Sequence, residues 1–343
     1  MLAQGFAKRL QAAWRLSGSA SRRAAQVGEI RRRGSRLLHL HNPWPLLTYD
    51  VALAAREAGV PLLQTLHNYR LISTNDRLVR DGQLRSPQDE HERQLLARCA
   101  PNHGGRLTEF AYRRALASWW RRGVPQAMDG FICLSGFQRK LMIEAGIPAE
   151  RLAVKPNFLG HHGAVGTAPG EHALFVGRLD SLKGIDRLAD CWPRMGIPLR
   201  IIGAGPLATS LGNRPGITLV GSLPAAAVQQ EMAQARFLVL NSTCFEGFPL
   251  VLIEALAAGT PCLVPNLGAM PEIIADGILG RVFEPDDEES LVTQARRLID
   301  EAPAMRAACR EAYTAHYTPA ANRAQLLAIY ARALAGRPLA DPQ

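Results

Sequence analysis

The chain has 343 residues, 47% hydrophobic and 20% charged, with a net charge of +10; this is the composition of a soluble globular protein of two ordinary domains, and it excludes a chain that is disordered by default. No apolar run approaches the ~18 residues of a spanning helix, and the opening MLAQGFAKRLQAAWRL has too short an apolar run for a secretion signal, so a cytoplasmic location is expected. The charge is uneven: residues 1–159 hold 25 Lys and Arg against 12 Asp and Glu, the remainder 15 against 18. That points the first half toward something anionic, a lipid surface, a phosphorylated acceptor or nucleic acid, with arginine spread over solvated helix faces as the alternative.

In chain order, a helix-like AKRLQAAWRL (7–16) and a basic stretch precede apolar strand candidates at 36–41, 61–67, 130–135 and 151–156, with helices near 47–58, 108–122 and 136–146. A polar, glycine-rich stretch at 159–172 reads as a linker. The alternation then restarts: HALFVG, a helix near 183–191, PLRIIG, GITLVG, a helix near 225–234, RFLVLN, a helix holding Glu254, and PCLVP. Such alternation predicts an α/β chain of βαβ units, with two doubly wound domains of parallel strands facing one another. The amphipathic segment 319–336 could pack on either. The expected division is 1–158, 159–318 and a C-terminal helix in 319–343. Six cysteines, Cys99, Cys133, Cys191, Cys244, Cys262 and Cys309, form no CxxC pair and read as buried free thiols rather than disulfides or a zinc site.

Open parallel sheets bind ligands beyond the carboxyl ends of their strands. Two first-half strands end alike, HLHN at 39–42 and TLHN at 65–68, which places His41, Asn42, His67 and Asn68 along one crevice edge. In the second half, Arg178 and Lys183 lie on the loop leaving a strand, and Gly184 opens the next helix. Two cations at such a place suit a phosphate, because unpaired N–H groups and the helix dipole add to their charge. The GAGP at 203–206 would let a ligand approach the backbone closely.

The segment CFEGFPLVLIEALAAGTPCLVP (244–265) holds two glutamates in an apolar run. Pro249 is expected at the first helical position and Gly259 at the end. LVLIEALAA has no charged face, so Glu254 is expected to be partly buried and to need donors, either a ligand's hydroxyls or a neighbouring side chain. Glu246 precedes the helix, where its carboxylate could face the same ligand.

Together GRLxxxKG (177–184), GxGP (203–206), EGFPLVLIEALAAGTP and GAMPEII (268–274), with HNPWPLL, TLHNYRLI, VRDG and LSGFQRKLMIEAGIPAERLAVKPNF earlier, resemble the family 4 retaining glycosyltransferases. The resemblance covers roughly residues 36–318 and implies the GT-B fold of two Rossmann-like domains. It implies that Arg178 and Lys183 grip the diphosphate of a nucleotide-sugar, UDP- or GDP-linked, and that Glu254 holds the ribose and Glu246 the transferred sugar, the E-x7-E signature. Gly177, Gly203, Gly205, Gly247, Phe248 and Pro249 would shape the donor pocket, His67 would reach the donor sugar, and Asn68, Tyr69 and Arg70, with His41 and Asn42, would lie on the acceptor side. Catalysis would need no metal, and none is expected; the chain has no Asp-x-Asp triplet of the kind that would hold one. The acceptor would be a glycan or lipid-linked molecule in surface polysaccharide or glycolipid synthesis, with no nucleic acid partner. Arg22, Arg23, Arg31, Arg32 and Arg33 would favour peripheral contact with the inner face of an anionic membrane.

The family usually opens with a strand and a glycine-rich loop that this chain does not show before HLHN. The expectation is therefore an incomplete N-terminal domain with weak or no turnover, and the second reading is a non-catalytic nucleotide-sugar-binding remnant. The segment after TLHNYR keeps only Cys99 where relatives often carry several cysteines. A Rossmann oxidoreductase rests on GAGP alone, and an epimerase would not be expected to carry the E-x7-E context.

Overall fold

The computed structural model describes residues 19–43, 49–73, 78–80, 83–84, 106–160, 170–212 and 214–340. The helix-like segment 7–16, Cys99 and linker residues 161–169 lie outside the described residues. The chain forms two compact units, Met1–Lys155 with Ala324–Gln343, and Pro156–Arg323.

Among the described residues the first unit begins with α1 (Ala20–Arg32), which lies on the basic stretch ahead of HLHN. Ser19 caps it, its hydroxyl accepting from the Arg22 N–H at 3.5 Å. Val27 and Ile30 bury against Ala54, and Glu29 pairs with Arg32 and Arg33 on the open side. The chain continues through β1 (Leu38–His41), α2 (Asp50–Ala58), β2 (Leu62–Thr65), a short antiparallel ribbon of β3 (Val79–Arg80) and β4 (Gln83–Leu84), α3 (Arg106–Arg121), α4 (Val124–Ala127), β5 (Gly130–Cys133), α5 (Gly136–Glu144) and β6 (Leu152–Val154). β1, β2, β5 and β6 form a parallel sheet in that order. β2 and β5 lie inside the sheet and are buried at every position; β5 (GFIC) reads as an apolar run, as such strands usually do, whereas β2 also buries Gln64 and Thr65.

The second unit carries β7 (Ala173–Val176), α6 (Ile185–Cys191), β8 (Leu199–Ile202), α7 (Ala208–Leu211), β9 (Ile217–Gly221), α8 (Ala225–Gln234), β10 (Phe237–Val239), α9 (Leu250–Ala258), β11 (Cys262–Pro265), α10 (Met270–Ile274), β12 (Gly280–Phe283) and α11 (Glu288–His316). Its six parallel strands run β12-β11-β10-β7-β8-β9. This is the doubly wound order, in which the chain starts in the middle, builds outward to one edge and crosses back to build the other. The crevice of such a sheet opens at the switch point, between the loops that leave β7 and β10. Phe175, Trp192, Leu199, Ile201, Phe237 and Leu263 are among the core residues that fix those loops from below.

The last helix, α12 (Pro319–Leu334), passes from one unit to the other. Its Ile329 and Ala333, with Leu339 beyond it, pack on Leu63, Ile132 and Ala153 of the first sheet. Among the described residues no helix is long and apolar enough to cross a membrane, and Cys133, Cys191, Cys244, Cys262 and Cys309 are buried free thiols.

Candidate functional site

In the second unit the switch point is built by two stretches that the fold stitches together. The first leaves β7, where Asp180 caps a turn at 181–183 by accepting from the Lys183 N–H at 3.2 Å. Gly184 follows with φ 59°, and a Cβ there would stand 2.1 Å from the Asn241 carbonyl oxygen, so only glycine lets the strands' ends come so close. The second stretch leaves β10. Asn241 Nδ2 donates to Gly184 O at 2.8 Å, and the Thr243 N–H donates to Leu182 O at 3.0 Å.

Across this seam Lys183 Nζ donates to Glu246 Oε1 at 2.6 Å, and Ser242 Oγ donates to the same oxygen at 2.8 Å. The two side chains of the ion pair are 21% and 19% exposed, so the pair is only partly open to water. Arg178, the other expected cation, is exposed and paired with Asp180. Asp180 therefore orients both cations, one through its side chain and one through its backbone. Its signal is readable as an N-cap residue three positions before Lys183.

Glu254 lies in the second turn of α9, half-buried. Among the described residues no hydrogen bond or ion pair reaches its carboxylate, and burial raises its pKa above the ordinary carboxylate value. Pro249 occupies the position before the helix rather than its first residue, with φ −73° and ψ 100°, and Gly259 closes the helix in the left-handed region at φ 74°. Phe248 is half-buried, its ring 6.2 Å from that of Tyr317, and Gly247 lies beside it on the same loop.

The glycines of GAGP answer to the fold itself. A Cβ on Gly203, at φ 151°, would stand 1.8 Å from the Gly177 oxygen, and one on Gly205 2.4 Å from the Leu179 oxygen. The two loops also share backbone bonds from Gly177 N to Ile202 O and Leu179 N to Ala204 O. These glycines make room for the neighbouring loop, and the loop they hold is the one that carries Arg178 and Lys183.

In the first unit the repeated strand ends form a ladder. His41 faces Thr65 across the β1–β2 pair, His41 Nδ1 and His67 Nε2 share a hydrogen bond of 2.8 Å, and Asn68 Nδ2 donates to Asn42 Oδ1 at 3.1 Å. Asn42 adopts φ 46°, a conformation that asparagine tolerates better than most residues. The Arg70 N–H donates to Asn68 Oδ1 at 3.0 Å. Tyr69 is corrected: it is fully buried, packed into the core rather than presented to an acceptor.

Beneath this ladder lies His39, which the sequence reading passed over although the H-x-H spacing puts it on the same side of β1 as His41. Its Nε2 bonds Thr65 Oγ1 at 2.8 Å and its Nδ1 bonds the Tyr330 hydroxyl at 2.7 Å. Burial and then the positive charge of its neighbours, His41, Lys155 and His67, lower its pKa to about 4. The pKa values of His41 and His67 are also lowered, first by burial. The cluster is therefore neutral at physiological pH, able both to donate and to accept. Among the described residues no three His, Cys, Asp or Glu side chains are grouped as a metal would require.

Two family descriptions match the chain, "Glycosyl transferase 4-like domain" over residues 3–157 and "Glycosyl transferases group 1" over 170–301. Among curated relatives, an exopolysaccharide phosphotransferase of Streptomyces coelicolor is 32% identical over 51% of this chain and 20% of its own length. A phosphatidyl-myo-inositol mannosyltransferase of Mycobacterium leprae is 26% identical over 54% of this chain and 52% of its own. A D-inositol 3-phosphate glycosyltransferase of Nocardiopsis dassonvillei is 25% identical over 74% and 60%. The chain thus spans less than two thirds of the length of these relatives. Among solved structures, the lipopolysaccharide outer core galactosyltransferase WaaB aligns with a TM-score of 0.62 at 18% identity, over 96% of this chain and 81% of its own. Anabaena HepE in complex with UDP aligns with a TM-score of 0.62 at 17% identity, over 89% and 81%; at such identity these neighbours speak for the fold, two Rossmann-like domains of the GT-B class. With one family description on each half, its own motifs and this fold in agreement, the chain belongs to the group 1, family 4-like glycosyltransferases.

Proposed function

We propose that the chain moves a sugar from a nucleoside-diphosphate sugar to a hydroxyl of a glycan or lipid-linked acceptor, with retention of configuration and without a metal. The observation that carries the reading is the pairing at the switch point: Lys183 held on Glu246, with the Glu254 carboxylate half-buried and awaiting donors. An ammonium has three donors and a guanidinium five. Lys183 therefore keeps donors for a diphosphate while bonded to Glu246, and Arg178 does so while bonded to Asp180. Two fixed cations stabilise the charge that develops on a leaving diphosphate. Ribose hydroxyls would donate to Glu254, satisfying a carboxylate that is otherwise costly to bury, and sugar hydroxyls to Glu246.

In the transfer step the acceptor oxygen bonds the anomeric carbon, the bond from that carbon to the diphosphate oxygen breaks, and the acceptor proton passes to the leaving oxygen on the same face. No protein nucleophile is required. HepE, a neighbour of the same fold, has been solved in complex with UDP-glucose, and the mycobacterial relative is named for a lipid acceptor; both support the class of donor and acceptor.

Peripheral contact with an anionic surface is supported by the charge of α1, where residues 20–33 carry five arginines against Glu29. Local ion pairs with Glu29 and Glu57 already engage Arg23, Arg32 and Arg33, so the attraction would be long-range and salt-sensitive. The reading is tested by a thermal-shift panel of nucleotide-sugars, since a ligand at 100 to 1,000 times its Kd stabilises by about 2.7–4.1 kcal/mol. Transfer to a glycan or lipid acceptor by the same protein tests the chemistry, and binding without transfer would leave a nucleotide-sugar-binding role.

A further inference from the structure

We infer that Ser242 is a positioning residue of this site, setting which oxygen of Glu246 meets the sugar. This rests on the reading of Glu246 as a ligand of the donor sugar.

Ser242 is 3% exposed, behind the site rather than in it. A serine hydroxyl has one proton to donate, and Ser242 gives it to Glu246 Oε1, the oxygen that also takes Lys183 Nζ. Both donors converge on one oxygen, and among the described residues none reaches Oε2. The carboxylate is thus gripped at one end and offers the other. A lone lysine would not achieve this, because an ammonium is a point charge on a flexible stem and leaves the carboxylate free to turn about it.

The hydroxyl does not depend on Glu246 for its own place. The residues on either side of Ser242 are tied to the Lys183 loop, Asn241 to Gly184 O at 2.8 Å and the Thr243 N–H to Leu182 O at 3.0 Å. Thr243 Oγ1 adds a bond of 3.3 Å to Ser181 O. Removing the hydroxyl therefore leaves the loop in position and releases only the carboxylate. Preorganisation of this kind favours a ligand that must bond the carboxylate and does nothing for one that bonds only the cations.

The test is calorimetric titration of the full chain with UDP, UDP-glucose, GDP and GDP-mannose, for wild type, Ser242→Ala, Ser242→Thr, Glu246→Gln and the Ser242→Ala/Glu246→Gln double variant. In whichever nucleotide series binds, Ser242→Ala should weaken the sugar conjugate about tenfold, the scale of one hydrogen bond to a charged group. The bare diphosphate should keep its affinity. Ser242→Thr, which retains the hydroxyl, should recover most of the loss, and the double variant should bind the conjugate no more weakly than Glu246→Gln alone. Equal weakening of diphosphate and conjugate by Ser242→Ala would make Ser242 a structural residue and overturn the inference, as would no weakening of either. A wild-type protein that binds none of the four ligands overturns the reading of the site, and the inference with it.

Discussion

Lys183 and Glu246, 63 residues apart in the chain, meet at 2.6 Å where the loops leaving β7 and β10 converge. The meeting follows from topology. β7 and β10 are neighbours in the doubly wound sheet, registered Phe237 to Ala173 and Leu238 to Leu174, and each carries its loop to the same end. The pair is expected to matter for stability as well as binding. Lys183→Ala strips a mostly buried carboxylate of its charged partner and should cost about 1–3 kcal/mol in denaturant unfolding, together with the thermal shift from any nucleotide-sugar. Glu246→Gln keeps an acceptor oxygen for both donors and should cost less, while losing the part of the affinity that depends on the sugar.

Glu254→Gln separates stability from function. A carboxyl whose folded pKa lies above its unfolded value favours the folded state when protonated, and that contribution is lost as pH rises through the raised pKa. At neutral pH the ionised carboxylate is therefore a burden in the unliganded protein. Glu254→Gln should leave the melting temperature equal or higher at pH 7, reduce its fall between acid and neutral pH, and abolish most of the nucleotide-sugar shift. A lower melting temperature with an unchanged ligand shift would show that Glu254 has another partner.

The histidine cluster gives the opposite sign. His39, at about pKa 4, is neutral in the folded state over a range where the unfolded chain is protonated. Its contribution is complete above the unfolded value of about 6.5 and is lost as pH falls toward 4, and His41 and His67 act in the same direction. Native-state hydrogen exchange of β1 and β2 should therefore accelerate as pH is lowered from 6.5 to 4 after correction for the intrinsic rate. Replacing His39 by Gln should flatten that dependence.

Glycine substitutions should act through the fold. Gly203→Ala and Gly205→Ala each drive a methyl group into the backbone at Gly177 or Leu179. Each should destabilise the second unit by about 1–3 kcal/mol and displace the Arg178 loop. Gly196→Ala is a useful control: no atom lies within 4 Å of a Cβ there, and only its φ of 78° opposes the change.

Much of this fold is legible in the residues themselves. The apolar runs at 130–135 and 151–156 become β5 and β6, and the helix expected at 225–234 coincides with α8. The strand at 130–133 is legible because a buried parallel strand reads as an apolar run, and the helix because its apolar residues, Met232 and Ala233 among them, alternate with polar ones. α1 is hidden by its arginines, which leave Val27 and Ile30 as its only buried positions. At the site, residue types are legible and contacts are not. Nothing in the spacing says that Lys183 reaches Glu246, that Ser242 stands behind it, or that Tyr69, flanked by polar residues, turns into the core. Each depends on which strands become neighbours. The docking of α12 on the first sheet is a further case: an amphipathic face shows that the helix packs, and only Ile329 and Ala333 against Leu63, Ile132 and Ala153 show on what.

The most direct measurement is the melting temperature of wild type and Lys183→Ala across a panel of UDP- and GDP-linked sugars at saturating concentration. At least one nucleotide-sugar should stabilise the wild type strongly, and Lys183→Ala, still folded without ligand, should lose that stabilisation. A wild-type protein unmoved by every member of the panel, or a Lys183→Ala variant stabilised as much as wild type, would contradict the reading of the site.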